Sequence, residues 1–477
     1  MTSFLEFTPW DLSAVAARGF DPYAIYRLFL GDPATHTPVR LLPGCPAATA
    51  SFQAGEYNAV NAIYGAVAGR RLDLPDPWTG EPITATSSFT FSNRGNLPLE
   101  ILPLVYQLTG RAGQELWAVS YSVSGRITHL LCPDEDLVIC ERDPALAGRI
   151  LARLREAAPA WHTRSAAPQP RRVVGLLDMV TNFGHQLIHH LSGLQRLIDQ
   201  GASGLPDEIW LSGTEFFGPT ERLFPELAPR LRRFPDRWAI HDVLAEGDHL
   251  ALRLGSNSFP RSLRTRILDL ALAALDRPVR PGRRPLIAMT VRAGGRRCVN
   301  LAPAIGEAVR RLLPRHPGLG VLIDGWVLPQ AEIVLGSAVA TALAPWYRGL
   351  VTPEIEAAFE LAAALPAGVV TECLVGGPML ASVAAASAID AYVAHVGTLQ
   401  HKLGFFADVP GVVHGPRQQL ADPEGGAFQA EIGRAPAFLP ATAVRDVGPP
   451  PERGSAFADY EIVDLDALHD RLAAALG

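Results

Sequence analysis

The sequence predicts an α/β protein in which two parallel-sheet domains follow a β-containing N-terminal domain. The chain has 477 residues, more than one hydrophobic core usually fills. From Val173 onward, short apolar runs alternate with amphipathic helical stretches, as βαβ units require. A basic, proline-rich segment at Asp276–Pro285 divides this region into two series. Two such series joined by a hinge predict two Rossmann-like domains that face each other.

The composition indicates a folded chain and excludes several protein classes. Hydrophobic residues make up 48% and charged residues 19%, so the chain can bury large cores. The net charge of -6 argues against a nucleic-acid binder. No apolar run reaches the ~18 residues of a spanning helix, and the N-terminus lacks a signal-peptide pattern. We therefore expect a cytoplasmic protein without an integral membrane segment. Five cysteines without a CxxC pair support neither a disulfide framework nor a zinc knuckle.

We expect four segments, which differ in their sequence texture. They are an N-terminal α+β accessory domain (1–165), a first Rossmann-like domain (171–280), a second Rossmann-like domain (284–416) and a C-terminal tail that packs back on the body (417–477).

The N-terminal domain is predicted from strand-like alternation. Ile83–Ser92 alternates between apolar and polar residues. Glu115–Cys132 has the pattern of a hairpin that turns at Ser124 and Gly125. A linker-like composition then separates this domain from the first parallel sheet.

The two α/β series supply the remaining strands. The first begins with the apolar run "VVGLLDMV", continues with the strand "DEIWLSG" and ends with the helix "SLRTRILDLALAAL". The second has strands at "LIAMTV", "LGVLI", "GVVT" and "AIDAYVA" with helices between them. The tail ends in the helix "DLDALHDRLAAAL".

Polar residues follow the predicted strands of the second domain, where open α/β sheets bind their ligands. The four strand ends carry, in order, Arg292 with Arg296, Asp324, Glu372 and His395. Any one of them alone is equally well explained as an exposed loop residue. Asp324 before a glycine also fits ordinary turn chemistry, and the adjacent Trp326 fits either base stacking or core filling. Four strand ends together favour a binding site.

The last of these strand ends predicts an anion site. Gly397 and Thr398 lie where the strand turns into a helix, and Thr398 is the predicted N-cap. Backbone N–H groups and the positive helix end would face the ligand there. Lys402, together with Arg292 and Arg296, would complete a cradle for a diphosphate.

The stretch "NFGHQLIHHLSGL" is the second candidate site. With Asn182 as N-cap, steps of 100° place His185, His189, Ser192 and Arg196 on one stripe. A histidine at a helix N-terminus tends to stay neutral, as a general base must. Two alternatives remain: a metal ion shared by the first two histidines, or a plain polar helix face. A third ligand and an HExxH glutamate are absent, so we predict no metal.

These residues carry a resemblance to a known family. "NFGHQLIHHLSGLQRL" resembles the Asn-Tyr-x-His-Trp segment and the following apolar helix of family 61 glycosyltransferases. "AYVAHVGTLQHKLGFF" lies where that family carries a His-Gly-Ala-Gly-Leu loop. The resemblance covers roughly Val173 to Pro416. Gln186 stands where the family has Trp, and the loop at His395 has a different spacing.

The resemblance implies a GT-B fold, a nucleotide-sugar donor held mainly by the second domain, and inverting transfer without an essential metal. We therefore expect a glycosyltransferase that moves a sugar from a nucleotide-diphosphate donor to a hydroxyl of a carbohydrate or protein acceptor, with no further cofactor. His185 would be the base, and Glu372 and His395 would orient donor hydroxyls or the base. The expected donor-binding residues are Arg292, Arg296, Asp324, Gly397, Thr398 and Lys402. A sugar-nucleotide isomerase or hydrolase, a metal-dependent hydrolase and a non-catalytic carbohydrate- or partner-binding protein remain alternatives.

Overall fold

A computed structural model gives the architecture of most of the chain. It describes residues 3–6, 13–30, 63–91, 101–140, 144–162, 172–179, 182–201, 204–246, 249–256, 259–274, 284–330, 338–421, 434–449 and 455–477. The linkers predicted near residues 165 and 280 lie largely outside these ranges.

The described part of the chain is a mixed α/β structure, as the alternation of apolar runs predicts. Its strands are β1 (Ser3–Glu6), β2 (Leu72–Pro75), β3 (Pro82–Ala85), β4 (Leu104–Thr109), β5 (Glu115–Ser120), β6 (His129–Cys132), β7 (Leu137–Cys140), β8 (Arg172–Met179), β9 (Glu208–Gly213), β10 (Leu231–Arg233), β11 (His249–Arg253), β12 (Leu286–Thr290), β13 (Gly320–Asp324), β14 (Val370–Cys373), β15 (Ala391–His395), β16 (Gly411–His414), β17 (Ala437–Phe438), β18 (Val444–Val447) and β19 (Asp459–Ile462).

The helices alternate with these strands in the second half of the chain. They are α1 (Ser13–Ala16), α2 (Pro22–Leu30), α3 (63–69), α4 (Pro144–His162), α5 (Phe183–His185), α6 (Ser192–Asp199), α7 (Thr220–Leu223), α8 (Arg237–Glu246), α9 (Arg261–Ala273), α10 (Leu301–Leu312), α11 (Ala338–Ala364), α12 (Met379–Ala386), α13 (Thr398–Ala407), α14 (Arg417–Ala421) and α15 (Leu465–Leu476). A π-helical turn, Gln186–Leu191, connects α5 to α6. None of the described helices is long and apolar enough to cross a membrane.

The chain divides into two units, and the division differs from the predicted domains. Unit 1 holds the described residues up to residue 256, except Glu215–Leu223; unit 2 holds that segment and the described residues from Phe259 to Gly477. The boundary predicted at residue 165 therefore separates no compact units, because the N-terminal sheet and the first parallel sheet share unit 1.

Unit 1 contains a five-stranded sheet of order β1-β7-β6-β5-β4. Strands β4 to β7 form an antiparallel meander, and β1 adds to β7 in parallel. The predicted hairpin is confirmed: β5 pairs with β6, and Gly125 has a φ of 87° in the connection, a left-handed conformation that glycine adopts easily. Trp117, Val138 and Leu154 belong to the core beneath this sheet.

The second sheet of unit 1 is parallel, with the order β10-β9-β8-β11. Strands β8 and β9 are the predicted apolar runs, and both are buried over most of their length. When these four strands are renumbered in chain order, from β8 as strand 1 to β11 as strand 4, their order in the sheet is 3-2-1-4. The connections leave β8 and β11 in opposite directions, so a crevice opens at the carboxyl ends of these two strands.

A buried ion pair ties the two sheets of unit 1 together. Arg253 donates to Asp178 from Nε at 3.0 Å and from Nη2 at 2.9 Å, and both side chains are almost fully buried. Arg253 also donates to the carbonyl of Leu102, and the Leu102 N–H donates back to Asp178. Because Leu102 lies just before β4 of the N-terminal sheet, the pair joins that sheet to β8 and β11.

Unit 2 contains a six-stranded parallel sheet of order β14-β13-β12-β15-β16-β17. In sequence numbering this order is 3-2-1-4-5-6, the arrangement of a dinucleotide-binding Rossmann sheet. Strands β12 and β15 are neighbours at the point where the order reverses. The carboxyl ends of these two strands therefore flank the crevice of this sheet.

The residues after the six-stranded sheet pack back on it. Strands β18 and β19 form an antiparallel hairpin, and Tyr460 in β19 bridges to Cys298 after β12. Leu468 and Leu472 of α15 belong to the same hydrophobic core as Ile287 of β12. The C-terminal segment is thus part of the body of unit 2.

Helix α9 belongs to unit 2, although the sequence assigned it to the first parallel-sheet domain. Arg264 donates to the carbonyl of Phe405 at 2.8 Å and to that of Phe406 at 3.0 Å. Phe259 stacks on Phe405 with 4.7 Å between ring centroids. These contacts are with α13 of unit 2. Helix α9 therefore belongs to unit 2 because it packs against α13.

Replacing Asp178 by Asn should lower the free energy of unfolding by about 3–5 kcal/mol, because Arg253 then keeps its charge in the core without a carboxylate. Urea unfolding followed by circular dichroism measures the change. The control is Glu156→Gln, which removes an exposed ion pair with Arg153 and should cost under about 0.5 kcal/mol. Equal costs for the two substitutions would contradict the role given to Asp178.

Candidate functional site

The candidate site of unit 2 lies where β12 and β15 end. Arg292 follows β12, and its Nε donates to the carbonyls of Gly294 at 3.1 Å and Gly295 at 2.7 Å. The loop thus folds around its own guanidinium group. No residue in the described ranges accepts a hydrogen bond from the two terminal nitrogens of Arg292. These nitrogens can therefore bind a ligand.

Arg296 is the second cation of the site. Its Nη1 donates to Gln419 Oε1 at 3.3 Å, and its guanidinium carbon lies 5.2 Å from the ring centroid of Phe457. Its backbone is left-handed, with a φ of 62°, which is unusual for a residue other than glycine. No carboxylate in the described part of the chain forms an ion pair with it.

The charges of the two arginines are close enough to affect each other. Burial, followed by the nearby charge of Arg292, lowers the pKa of Arg296 to about 10. Burial likewise lowers the pKa of Arg292, against the opposing effect of Glu354. Both groups remain cations at neutral pH. Two neighbouring guanidinium groups, one of them without a carboxylate, form an excess of positive charge that an anion would relieve.

Helix α13 points its N-terminus at the same place. A Cβ atom added to Gly397 would lie 3.0 Å from Nη1 of Arg296, so the helix start and the guanidinium group are in close contact. The N–H groups of a first helical turn lack acceptors within the helix, and the helix dipole adds partial positive charge. The predicted anion site at Gly397 and Thr398 thus has the expected local geometry beside Arg296.

The N-cap of this helix is Gly397, and the prediction of Thr398 was wrong by one residue. Gly397 has a φ of 103°, which side chains with a Cβ rarely adopt, and Thr398 is the first helical residue. The side-chain oxygen of Gln400 accepts the Gly397 N–H at 3.2 Å, which is the half of a capping box that the third helical residue supplies.

His395, the last residue of β15, lies buried beneath the arginines. Its N–H donates to Oγ1 of Thr290 at 2.9 Å, and its Nδ1 lies 3.0 Å from the same oxygen. No other described residue accepts a hydrogen bond from the Thr290 hydroxyl, so we infer that this hydroxyl donates its hydrogen bond to Nδ1 of His395. The imidazole proton then lies on Nε2, which is buried and has no acceptor in the described ranges.

The electrostatic surroundings keep His395 neutral. Burial holds the pKa of its imidazole well below the usual value, and His414, Arg292 and Arg296 lower it further. His414 lies 4.4 Å away between ring centroids, and its Nδ1 is 2.6 Å from the hydroxyl of Tyr460. Burial lowers the pKa of His414 to about 3. The layer under the two cations is therefore polar and uncharged.

Glu354 joins two loops of the site, and sequence reasoning missed it. This buried carboxylate on α11 accepts hydrogen bonds from the backbone N–H groups of Trp326 and Ala293. Burial raises its pKa, opposed by these hydrogen bonds and by Arg292. Its position in the middle of a long helix offered no motif. His414, by contrast, ends β16, a strand that the sequence analysis did not predict, and with that strand it could have been found as a fifth strand-end residue.

Lys402 and Asp324 lie in the same unit but bind each other. The Lys402 ammonium is 2.7 Å from Asp324 Oδ2 and donates to the carbonyl of Gly325 at 3.0 Å. Ser382 adds a hydrogen bond to Asp324. Both charged side chains are completely enclosed. We therefore assign them a structural role instead of the predicted contact with a ligand.

Glu372 does not join the cluster around the arginines. It lies inside the edge strand β14, where its side chain is exposed. Strand β14 is two positions from β12 in the sheet, roughly 10 Å at the usual strand spacing. The sequence could not show that this strand takes the sheet edge, far from the reversal of strand order.

The histidine-rich segment occupies the crevice of the parallel sheet in unit 1. Asn182 is confirmed as the N-cap: its side chain accepts from Gly184 N at 2.9 Å and from His185 N at 3.4 Å. His189 follows in the π-helical turn and donates from Nδ1 to the carbonyl of Ser256, just after β11. The start of this helix therefore spans the ends of β8 and β11.

The π-helical turn overturns the predicted stripe of polar residues. A π turn uses more residues per turn than an α-helix, so steps of 100° lose their register at Gln186–Leu191. Ser192 is consequently buried, with its hydroxyl donating to the carbonyl of Leu187 at 2.8 Å. His185 is exposed and His189 half-buried, and their rings stack at 5.3 Å.

His185 has the protonation state expected of a base. Its pKa lies below the usual value, as predicted, but the cause is loss of solvation by the surrounding protein and not the helix dipole. The ring retains an exposed surface, so a neutral imidazole is accessible from solvent. His190, five residues after His185, is fully buried and therefore has no access to a substrate.

A metal centre is not indicated by this geometry. In the described ranges no three histidine, cysteine, aspartate or glutamate side chains are grouped so that they could hold an ion.

Comparison of the chain with models of known protein families and with curated protein sequences gives no match. The candidate site therefore has to be interpreted from its own chemistry.

His190→Leu should flatten the dependence of stability on pH. Both ring nitrogens of His190 are buried and have no hydrogen-bond partner in the described ranges, and burial lowers its pKa to about 3. The unfolded chain takes up this proton near pH 6.5 and the folded chain does not, so wild-type stability is full above pH 6.5 and falls between pH 6.5 and 3.

Between pH 6.5 and 3 the leucine variant should lose less stability than the wild type. The difference between the two proteins should grow by up to about 1.4 kcal/mol for each pH unit. At pH 7 it should be at least as stable as the wild type, since an apolar side chain of similar volume replaces an unpartnered polar one. Urea unfolding at pH 7, 5.5 and 4 measures both effects. Parallel pH curves for the two proteins would refute the prediction.

Proposed function

We propose that this chain is a glycosyltransferase and that unit 2 holds the diphosphate of a nucleotide-sugar donor. The observation that carries the proposal is the cation pair Arg292 and Arg296 beside the N-terminus of α13, where no carboxylate of the described residues forms an ion pair with Arg296. The pair lies where the strand order 3-2-1-4-5-6 reverses, the usual place of a nucleotide phosphate in such sheets.

The site fits a leaving diphosphate better than it fits a small carboxylate. Two guanidinium groups and one helix start provide several donors over an extended surface, which matches two linked phosphoryl groups. During transfer, negative charge grows on the diphosphate as its bond to the sugar breaks. Fixed cations at that place stabilise the transition state more than the ground state.

The neutral layer under the arginines supports the same assignment. The Nε2–H group of His395 is a buried donor without an acceptor among the described residues, and an oxygen of the bound donor above it would supply one. A charged imidazole in this position would repel Arg292 and Arg296. We assign His395 to donor binding and leave Glu372 without a role in this proposal.

His185 is the base in this proposal. It lies in the crevice of the other parallel sheet, it is neutral, and part of its ring is exposed. It would accept the proton of an acceptor hydroxyl while that oxygen attacks the sugar carbon. A GT-B arrangement, in which two crevices of this kind share one cleft, belongs to the proposal. The acceptor would be a carbohydrate or a protein.

Arg296→Gln should weaken binding of UDP or GDP at least tenfold, because it removes a charge-assisted contact worth about 1.5–3 kcal/mol. Isothermal titration calorimetry measures the affinity. Arg315→Gln is the matched control: Arg315 is exposed at the end of α10, close to the amino ends of the strands, and its removal should change nothing. Absence of heat with every nucleotide and nucleotide sugar tested on the wild type would refute donor binding.

His185→Gln should reduce sugar transfer by about 10²–10⁴-fold and leave nucleotide affinity unchanged, because a base acts only in the chemical step. Transfer is measured with the donor that binds and a panel of saccharide and peptide acceptors. In the wild type, activity should rise with pH to a plateau with an apparent pKa below 6.5.

The same assay separates the alternatives. Conversion of the donor's sugar without an acceptor would indicate an isomerase. Binding without turnover in both the wild type and His185→Gln would indicate a non-catalytic protein.

A further inference from the structure

Phe457 is an exposed aromatic side chain beside the cation pair. It ends a short 3₁₀ turn, Ser455–Phe457, and 37% of its surface is exposed. The guanidinium carbon of Arg296 lies 5.2 Å from its ring centroid. An exposed phenyl ring is common on protein surfaces, but this one adjoins an anion site.

The turn that carries Phe457 is fixed to the arginine loop. The N–H of Arg296 donates to the carbonyl of Phe457 at 3.2 Å, and the N–H of Arg297 donates to Asp459 Oδ1 at 2.9 Å. Tyr460, three residues later, pairs with the backbone on both sides of Cys298. The ring therefore has a defined place relative to Arg296, set by backbone contacts on either side of it.

We infer that Phe457 is the platform on which the base of the bound nucleotide stacks. The inference rests on the proposed donor site. A phosphate held by Arg296 has its base one ribose away, and the phenyl ring is the aromatic surface in contact with that arginine. Because every base offers a π face, this contact binds nucleotides with little discrimination between bases.

Trp326 is the competing platform. It follows β13, and both of its backbone groups are engaged, the N–H with Glu354 and the carbonyl with the N–H of Gly376. Strand β13 lies on the far side of β12 from β15, so Trp326 is one strand removed from the helix start at Gly397. Phe457 touches the arginine that touches that helix start, and this contact favours it.

The test compares nucleotides with a ligand that has no base. Phe457→Leu keeps an apolar side chain on the surface and removes the ring. Calorimetric titration of the full-length variant with UDP, ADP and GDP should show affinities weaker by about 5- to 100-fold. Affinity for inorganic pyrophosphate should stay within about twofold. Phe457→Trp should retain nucleotide affinity, and Phe359→Leu, at an exposed phenylalanine of α11, should behave as the wild type.

Three outcomes would overturn the inference. An equal loss for pyrophosphate would show that Phe457 only positions Arg296. A nucleotide-specific loss in Trp326→Leu, with none in Phe457→Leu, would move the base to the other ring. Wild-type binding of pyrophosphate as tightly as of any nucleotide would show that no base is recognised while the anion site stands. If neither pyrophosphate nor any nucleotide binds the wild type, the proposed function fails and this inference fails with it.

Discussion

Arg296 is a partly buried cation with no carboxylate partner in the part of the chain that the structure describes, and its unbalanced charge accounts for the composition of the candidate site. A buried charge is costly unless other groups stabilise it. Gln419 gives it a neutral acceptor and Phe457 gives it a ring face. Gly397 leaves room for it at the start of α13. Each of these contacts holds the guanidinium group in place without cancelling its charge, so the charge stays available to an anion.

The same constraint explains the layer beneath. His395 is enclosed near two permanent cations, so protonating its ring would add a third positive charge there, and burial by itself lowers the pKa of His414. Both imidazoles therefore stay neutral. Nδ1 of His395 is hydrogen-bonded to the hydroxyl of Thr290, and Nδ1 of His414 to the hydroxyl of Tyr460. Their Nε2 atoms remain without acceptors in the described ranges. In the proposed donor site, a ligand oxygen would be the acceptor for the Nε2–H group of His395.

Arg253 in unit 1 shows the opposite treatment of the same side chain. It is fully enclosed, but Asp178 binds it at two nitrogens and backbone carbonyls take further hydrogen bonds. Its charge is satisfied, and the result is a rigid joint between two sheets. Lys402 with Asp324 follows the same rule in unit 2. Arg253 and Lys402 are thus neutralised by a carboxylate within the fold, whereas Arg296 has only the neutral side chain of Gln419 as an acceptor in the described ranges.

The sequence by itself determined the local elements and the residues that end the strands. Period and composition identified β8, β9, β12, β13 and β15, because a strand buried on both faces reads as a continuous apolar run. Asn182 as a cap also followed from local chemistry, whereas the lowered pKa of His185 is caused by burial in the folded chain. Arg292, Arg296 and His395 were predicted as candidates because polar residues after parallel strands share one edge of the sheet.

Only the tertiary structure decided which of these residues belong together. Strand order put Glu372 on an outer edge and brought β12 against β15, and no local pattern encodes that order. Long-range pairing gave Lys402 to Asp324, and the return of the C-terminal segment brought Phe457 to Arg296 across more than 150 residues of sequence. The physical reason is that a charged side chain takes its role from the groups that surround it after folding. Those groups come from distant parts of the chain.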